Sequence, residues 1–176
     1  MGDNSAMKTI AIVGSSALEG APLVERLIEA FRLEGFTVSV IKRAPDGFDI
    51  DTPGKGSHAR RQAGAREVMM ANGERMVLMR ENAVRREPDL AALIARLEPV
   101  DIVIAEGFHG VKVPTIEALR PSKGRPTRYP KDPNIVALVS DEPLEPLRAP
   151  LPTFNLDRLE ELADFMAEQV GLMEAP

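Results

Sequence analysis

The N-terminal region runs strand, loop, helix, strand, an order that leaves few folds open. Lys8–Val13 (KTIAIV) is a continuous, largely β-branched run, as expected of a strand buried on both faces of a parallel sheet. Val24, Leu27, Ile28 and Phe31 then recur at i, i+3, i+4 and i+7, one apolar stripe of a helix. Pro22 suits the first helical position, where no N–H partner is needed, and Gly35 suits the helix end. Thr37–Lys42 (TVSVIK) reads as a second strand. Together these segments predict a right-handed βαβ unit.

The first connection, Gly14–Pro22 (GSSALEGAP), lies where such a unit carries a phosphate-binding loop. A working loop, G-x-x-x-x-G-K-[ST], wraps phosphates in backbone N–H groups. Its Lys reaches the β/γ-phosphates and its hydroxyl binds Mg²⁺. Counted from Gly14, the closing-Gly position holds Glu19, the Lys position Gly20 and the hydroxyl position Ala21. The frame is kept while the groups that grip a triphosphate are gone. Gly14, Ser15, Ser16 and Gly20 remain to receive one phosphate or carboxylate at the helix N-terminus. Glu19 works against that, since like charges about 4 Å apart repel by roughly 1 kcal/mol in water and several in a cleft. We expect Glu19 either to oppose an anion there or to fold back and mimic one.

Composition narrows the function classes. At 176 residues the expectation is one α/β domain over 8–176, preceded by a disordered leader over 1–7. The chain has no cysteine, which excludes disulfides and thiolate-ligated metals and makes the cytoplasm the natural compartment. No apolar stretch approaches membrane-spanning length, so no membrane partner is expected. A formal net charge of −5 argues against general nucleic-acid binding. Basic residues are nonetheless concentrated: Lys112, Arg120, Lys123, Arg125, Arg128 and Lys131 face only Glu117 between Val111 and Lys131. A solvated loop is the default expectation for that cluster.

Further along, Phe48–Ser57 is turn-rich and a short polar helix is expected near 57–63. Arg66–Ala71 and Arg75–Arg80 predict a hairpin about Asn72-Gly73. Asp89 is placed to cap a helix carrying Leu90, Leu93, Ile94 and Leu97. Asp101–Ala105 and Ile135–Ser140 are buried parallel strands, with another at Pro114–Leu119. Asp157 and Glu160 have capping-box spacing before a last helix striped by Leu159, Leu162, Ala163, Met166 and Val170. The whole predicts an open, mostly parallel α/β sheet with helices on both faces. Ligands in such folds bind outside the carboxyl ends of the strands. That rim gathers Gly14–Ala21, Arg43–Lys55, Glu106–Gly110 and Ser140–Asp141.

Three further rim residues are metal candidates and one is a phosphate candidate. Asp49 and Asp51, at i and i+2 in an extended stretch, project to one side and suit a shared cation such as Mg²⁺. Glu106 ends a buried strand, where nucleotide enzymes often hold an acid facing Mg²⁺ or water. Lys55 offers a replacement phosphate contact from outside the first loop. His109 shares the rim and His58 is less informative. No nucleophile–base arrangement is recoverable.

In order, IAIVG (10–14), PLVERLI (22–28), GFTVSVIK (35–42), FDIDTPGKGSHARRQAGA (48–65), DIVIAEGF (101–108), VALVSD (136–141) and LADFM (162–166) resemble the molybdopterin-guanine dinucleotide biosynthesis protein B family, MobB. The resemblance implies a P-loop NTPase-like fold and a homodimer. It also implies GTP binding with slow hydrolysis, and assistance to MobA as it attaches GMP to molybdopterin. It would put nucleotide or Mg²⁺ contacts at Gly14, Asp49, Asp51, Lys55 and Glu106. The family carries Gly-Lys-Thr where this chain has Glu19-Gly20-Ala21, and histidines where it has Arg43, Ala44 and Pro45. The first expectation is therefore an accessory protein of molybdenum-cofactor synthesis with weakened or lost nucleotide binding. Its partner would be a MobA-like guanylyltransferase or a molybdoenzyme maturation partner. The alternatives are a GTP-binding enzyme with relocated phosphate contacts, and a paralogue that binds a pterin or another anionic metabolite.

Overall fold

The computed structural model describes residues 7–14, 18, 22–144 and 149–173. The chain forms two compact units, one of Met1–Arg43 with Pro88–Pro176 and one of Ala44–Glu87.

The larger unit is built on a six-stranded sheet among the described residues. Its strands are β1 (Lys8–Val13), β2 (Val38–Lys42), β5 (Ile102–Glu106), β6 (Thr115–Ala118), β7 (Ile135–Ser140) and β8 (Thr153–Asn155). Their order across the sheet is β2-β5-β1-β6-β7-β8, and every pairing is parallel. The expected strands are all present. β8 was not anticipated, because three residues at a sheet edge carry no periodic signal.

Alternation along the buried strands sends apolar side chains to both faces of the sheet. Ile10, Ile12, Ile102, Ile104 and Ile116 meet helices α1 (Leu23–Leu33) and α4 (Leu159–Gln169) through Leu27, Phe31, Leu162 and Met166. On the other parity, Ala11, Val103 and Ala105 meet Leu90 of the short helix α3 (Leu90–Ile94), with Ile41 and Phe108. Helices thus cover both faces, as expected, and β5 and β7 read as nearly unbroken apolar runs because both of their faces are buried.

Local chemistry sets the helix ends. Pro22 stands as the N-cap of α1, one position before the expected site, and its carbonyl accepts from Arg26 N–H at 3.0 Å. At the other end Gly35 takes φ +88. Its N–H reaches Arg32 O at 3.1 Å while Phe36 N–H reaches Phe31 O at 3.0 Å, the paired bonds of a Schellman stop. Asp89 caps α3 as predicted, accepting from Ala91 N–H at 3.1 Å. The capping box at Asp157 is not formed. Asn155 accepts from Asp157 N–H at 2.8 Å instead, so a 3₁₀ turn at Leu156–Arg158 precedes α4.

The smaller unit holds helix α2 (Gly56–Gln62) and the antiparallel hairpin of β3 (Glu67–Ala71) and β4 (Met76–Arg80). The turn lies where Asn72-Gly73 predicts it. Its mechanism is the Asn72 side chain, which accepts from Glu74 N–H at 3.0 Å and Arg75 N–H at 2.8 Å; Gly73 stays out of the left-handed region.

Candidate functional site

The carboxyl ends of the strands in the larger unit form one rim, and the register fixes its members. Ile12 is level with Glu106, Lys42 with Glu106, and Val13 with Glu117. Gly14 turns the chain away from β1 at φ +77. A Cβ there would lie 2.2 Å from Ala118 O, so only glycine allows this close passage beside β6. Ser15, Ser16 and Gly20, with Glu19, lie outside the described residues, and the expectations placed on them have no structural counterpart here.

Glu106 sits at the end of β5 as predicted, its side chain 13% exposed and 3.2 Å from Lys42 Nζ. The next turn is tight. Gly107 takes φ +82 and donates its N–H to Ile12 O at 2.8 Å, while Arg43 N–H reaches Glu106 O at 2.8 Å. Arg43 is thereby held against the turn that carries His109. Partial burial first, then the charges of Arg128 and Arg43, push the His109 imidazole below its usual 6.5, with Asp132 opposing.

Sequence reasoning treated the basic loop after β6 as solvated and overlooked what holds it. Glu117, in the middle of TIEA and 4% exposed, accepts from Arg128 N–H at 2.7 Å and Tyr129 N–H at 2.9 Å. Arg120 Nε donates to Asp141 Oδ1 at 2.8 Å, and Ser122 N–H donates to Glu142 at 2.9 Å. Burial of Asp141 is outweighed by its bond to Arg120, and Glu142 is held down chiefly by Ser122, so both stay ionised below the usual range. Three carboxylates therefore fasten a loop whose composition suggested free solvation. An acid inside an otherwise apolar strand was the signal available for Glu117.

In the smaller unit Asp49 and Asp51 do converge, and the group between them is a guanidinium. Arg61 Nη1 lies 3.0 Å from Asp49 Oδ1 and 3.2 Å from Asp51 Oδ2, and its Nη2 lies 2.7 Å from Glu81 Oε1. Ser57, buried, donates to Asp51 Oδ1 at 2.9 Å, and Asp51 N–H donates to Asp49 Oδ1 at 2.8 Å. The Arg61 bond comes first in lowering the Asp49 carboxyl below its ordinary range. At Asp51 burial raises the carboxyl, yet bonds from Ser57 and Arg61 lower it further. Arg61 and Glu81 were not anticipated. Lys55, exposed, is the N-cap residue of α2.

Among the described residues no group of three His, Asp or Glu side chains is placed to hold a metal ion. A divalent cation at Asp49 and Asp51 has to displace the Arg61 guanidinium, and one at Glu106 has to compete with Lys42. These residues, with the Lys and hydroxyl missing from the sequence of the first loop, do not fit a magnesium triphosphate held in the usual way. No helix of the described residues is long and apolar enough to cross a membrane.

Comparison with known proteins agrees with this architecture. The family profile described as "Molybdopterin guanine dinucleotide synthesis protein B" matches residues 9–141. A "Molybdopterin-guanine dinucleotide biosynthesis adapter protein" of Escherichia coli (strain K12) is 30% identical over 96% of this chain and 96% of its own length. The adapter protein of the same description from Haemophilus influenzae is also 30% identical, covering 93% of this chain and 89% of its own. A crystal structure of "molybdopterin-guanine biosynthesis protein B (mobB)" superposes with a TM-score of 0.67 at 25% identity, covering 94% of this chain and 99% of that one. Bacillus subtilis MobB shares the fold at a TM-score of 0.69 and 21% identity, covering 93% and 98%. With a P-loop NTPase-like sheet, a retained first-loop glycine and relatives matched along nearly their whole length, the chain belongs to the MobB family.

Proposed function

We propose that this protein is an adapter in molybdopterin-guanine dinucleotide synthesis whose own binding of GTP and Mg²⁺ is weakened or lost. The observation that carries this reading is the engagement of Asp49 and Asp51 by Arg61 in a chain whose first loop has Glu19, Gly20 and Ala21. The Lys and the hydroxyl of a working first loop are missing from its sequence, and an internal cation stands where the acids would take a metal. Its work is then to engage a MobA-like guanylyltransferase or a molybdoenzyme maturation partner. The hairpin supports action as a homodimer: Met69, Met76 and Leu78 share one face and are 58%, 64% and 42% exposed, an apolar surface of the kind interfaces cover.

Calorimetric titration tests the nucleotide half of the proposal. We expect no GTP binding up to millimolar ligand, with or without Mg²⁺. Micromolar, Mg²⁺-dependent binding abolished by Lys55→Ala would overturn it and favour an enzyme with relocated phosphate contacts. Sedimentation tests the dimer: Met69→Glu with Leu78→Lys is expected to convert a dimer to monomer.

A further inference from the structure

We propose that the exposed cations of the loop after β6, namely Arg125, Arg128 and Lys131 with Lys123 beside them, form a docking surface for an acidic patch on a partner protein. The inference rests on the adapter reading and deepens it, since it names the surface and the chemistry by which such a protein engages its partner.

The loop is built as a fixed platform. It joins the neighbouring parallel strands β6 and β7, where a helix usually makes the crossover. Here the connection is irregular apart from a 3₁₀ turn at Pro121–Lys123. Irregular main chain needs partners for its N–H groups, and side chains supply them. Glu117 takes those of Arg128 and Tyr129 at 2.7 and 2.9 Å, and Glu142 takes that of Ser122 at 2.9 Å. Asp132 accepts from Asn134 N–H at 3.0 Å and from its side-chain amide at 2.9 Å. Tyr129 packs against the apolar cluster of Leu119, Ile135, Leu138 and Leu144. Pro121, Pro126, Pro130 and Pro133 restrict the remaining backbone.

This construction sorts the charges. Glu117, Asp132, Asp141 and Glu142, the acids between Val111 and Glu142, all accept bonds from within this region. Arg125, Arg128 and Lys131 are exposed, and among the described residues none of the three makes an ion pair. Lys131 N–H reaches Arg128 O at 2.8 Å, so those two cations stand on one turn. Lys123 and Arg125 flank Gly124, which takes φ +60. The whole chain carries −5, so the patch is a local reversal of sign.

Two features select an acidic protein surface over a nucleic acid. The patch is small, and the negative remainder of the chain repels a long polyanion. Tyr129, the aromatic residue of the loop, is committed to its apolar cluster and offers no platform for stacked bases. Cations carried on a fixed main chain leave less to be ordered on binding, and patches of opposite sign steer the encounter.

The MobA-like guanylyltransferase of the same organism is the probe, its binding to the full chain measured by surface plasmon resonance. We expect binding that weakens steeply between about 50 and about 300 mM NaCl as the charges are screened. Arg125→Glu with Lys131→Glu should weaken it roughly tenfold or more, chiefly through the association rate. The milder pair Arg125→Gln with Lys131→Gln should fall between, with urea unfolding like that of the parent. Arg32→Glu with Arg96→Glu makes the same change of charge on exposed residues elsewhere and should bind as the parent does. Binding unchanged in the loop variants, or weakened equally in the Arg32 and Arg96 pair, would overturn the docking surface while leaving the adapter reading intact. A parent chain that does not bind the guanylyltransferase would overturn the surface and count against that reading as well. Tighter binding of a single-stranded oligonucleotide, lost in the same loop variants, would overturn the assignment to an acidic protein.

Discussion

Arg61 Nη1 lies 3.2 Å from Asp51 Oδ2, and the two side chains are only 15% and 3% exposed. The pair is the centre of a network that also takes in Asp49, Glu81 and Ser57. Removing one member of a screened ion pair leaves the other without compensation. Arg61→Ala should therefore loosen α2 and the 49–51 turn, seen as faster amide hydrogen exchange across residues 48–62 than in the parent. Arg61→Lys should rescue only part of that protection, since an ammonium cannot span two carboxylates as a planar fork does. Equal exchange in parent and Arg61→Ala would show that the network does not hold this unit together.

The same network fixes an acid response. Asp49 and Asp51 carry folded-state values below the ordinary 3.8, so the unfolded chain binds protons first as pH falls. Their stabilisation is fully present above 3.8 and drains away as pH drops below it toward the folded values. Amide exchange of residues 48–62 should be flat between pH 7 and 5 after correction for intrinsic rates, then accelerate below 4. In Arg61→Ala that acid-dependent acceleration should be much smaller.

Gly14 and Gly110 both adopt positive φ, +77 and +66, yet only Gly14 is crowded. Gly14→Ala adds a backbone clash with Ala118 O to the left-handed strain and should cost about 2–5 kcal/mol. Gly110 has nothing within 4 Å of its missing Cβ, so Gly110→Ala should cost about 1–2 kcal/mol. Urea unfolding of the two variants checks the ordering, and equal destabilisation would refute it.

Glu117 satisfies two N–H groups of the loop after β6. Glu117→Ala should leave both without an acceptor, at about 1–3 kcal/mol each where water cannot replace it. Limited trypsin digestion should then cut after Lys123 or Arg128 several times faster, while Glu117→Gln, which keeps one acceptor oxygen, should fall between.

How much of this was legible in the residues depends on the range of the signal. The βαβ opening, the hairpin and the strands at 102–106 and 135–140 follow from short-range patterns of apolar side chains, and they stand where expected. The rim membership of Gly14 and Glu106 followed from strand ends alone. Arg61 was missed because α2 is short and polar, with no stripe to orient it, and its partners come from the 49–51 turn and from Glu81 beyond β4. The error at Asp157 has the opposite cause. Two residues with the right spacing lost to Asn155, two positions earlier, whose amide oxygen reached the free N–H first.

The position of β1 between β5 and β6 has a consequence for biogenesis. β1 leaves the ribosome well before β5 and β6, and must wait for these neighbours, encoded some hundred residues later, before either of its sides is paired. Until then a highly apolar ribbon is open along both edges, the kind of surface that invites aggregation. Nascent chains halted before β5 are therefore expected to need a chaperone's cover, whereas chains released after β6 can bury that ribbon on their own.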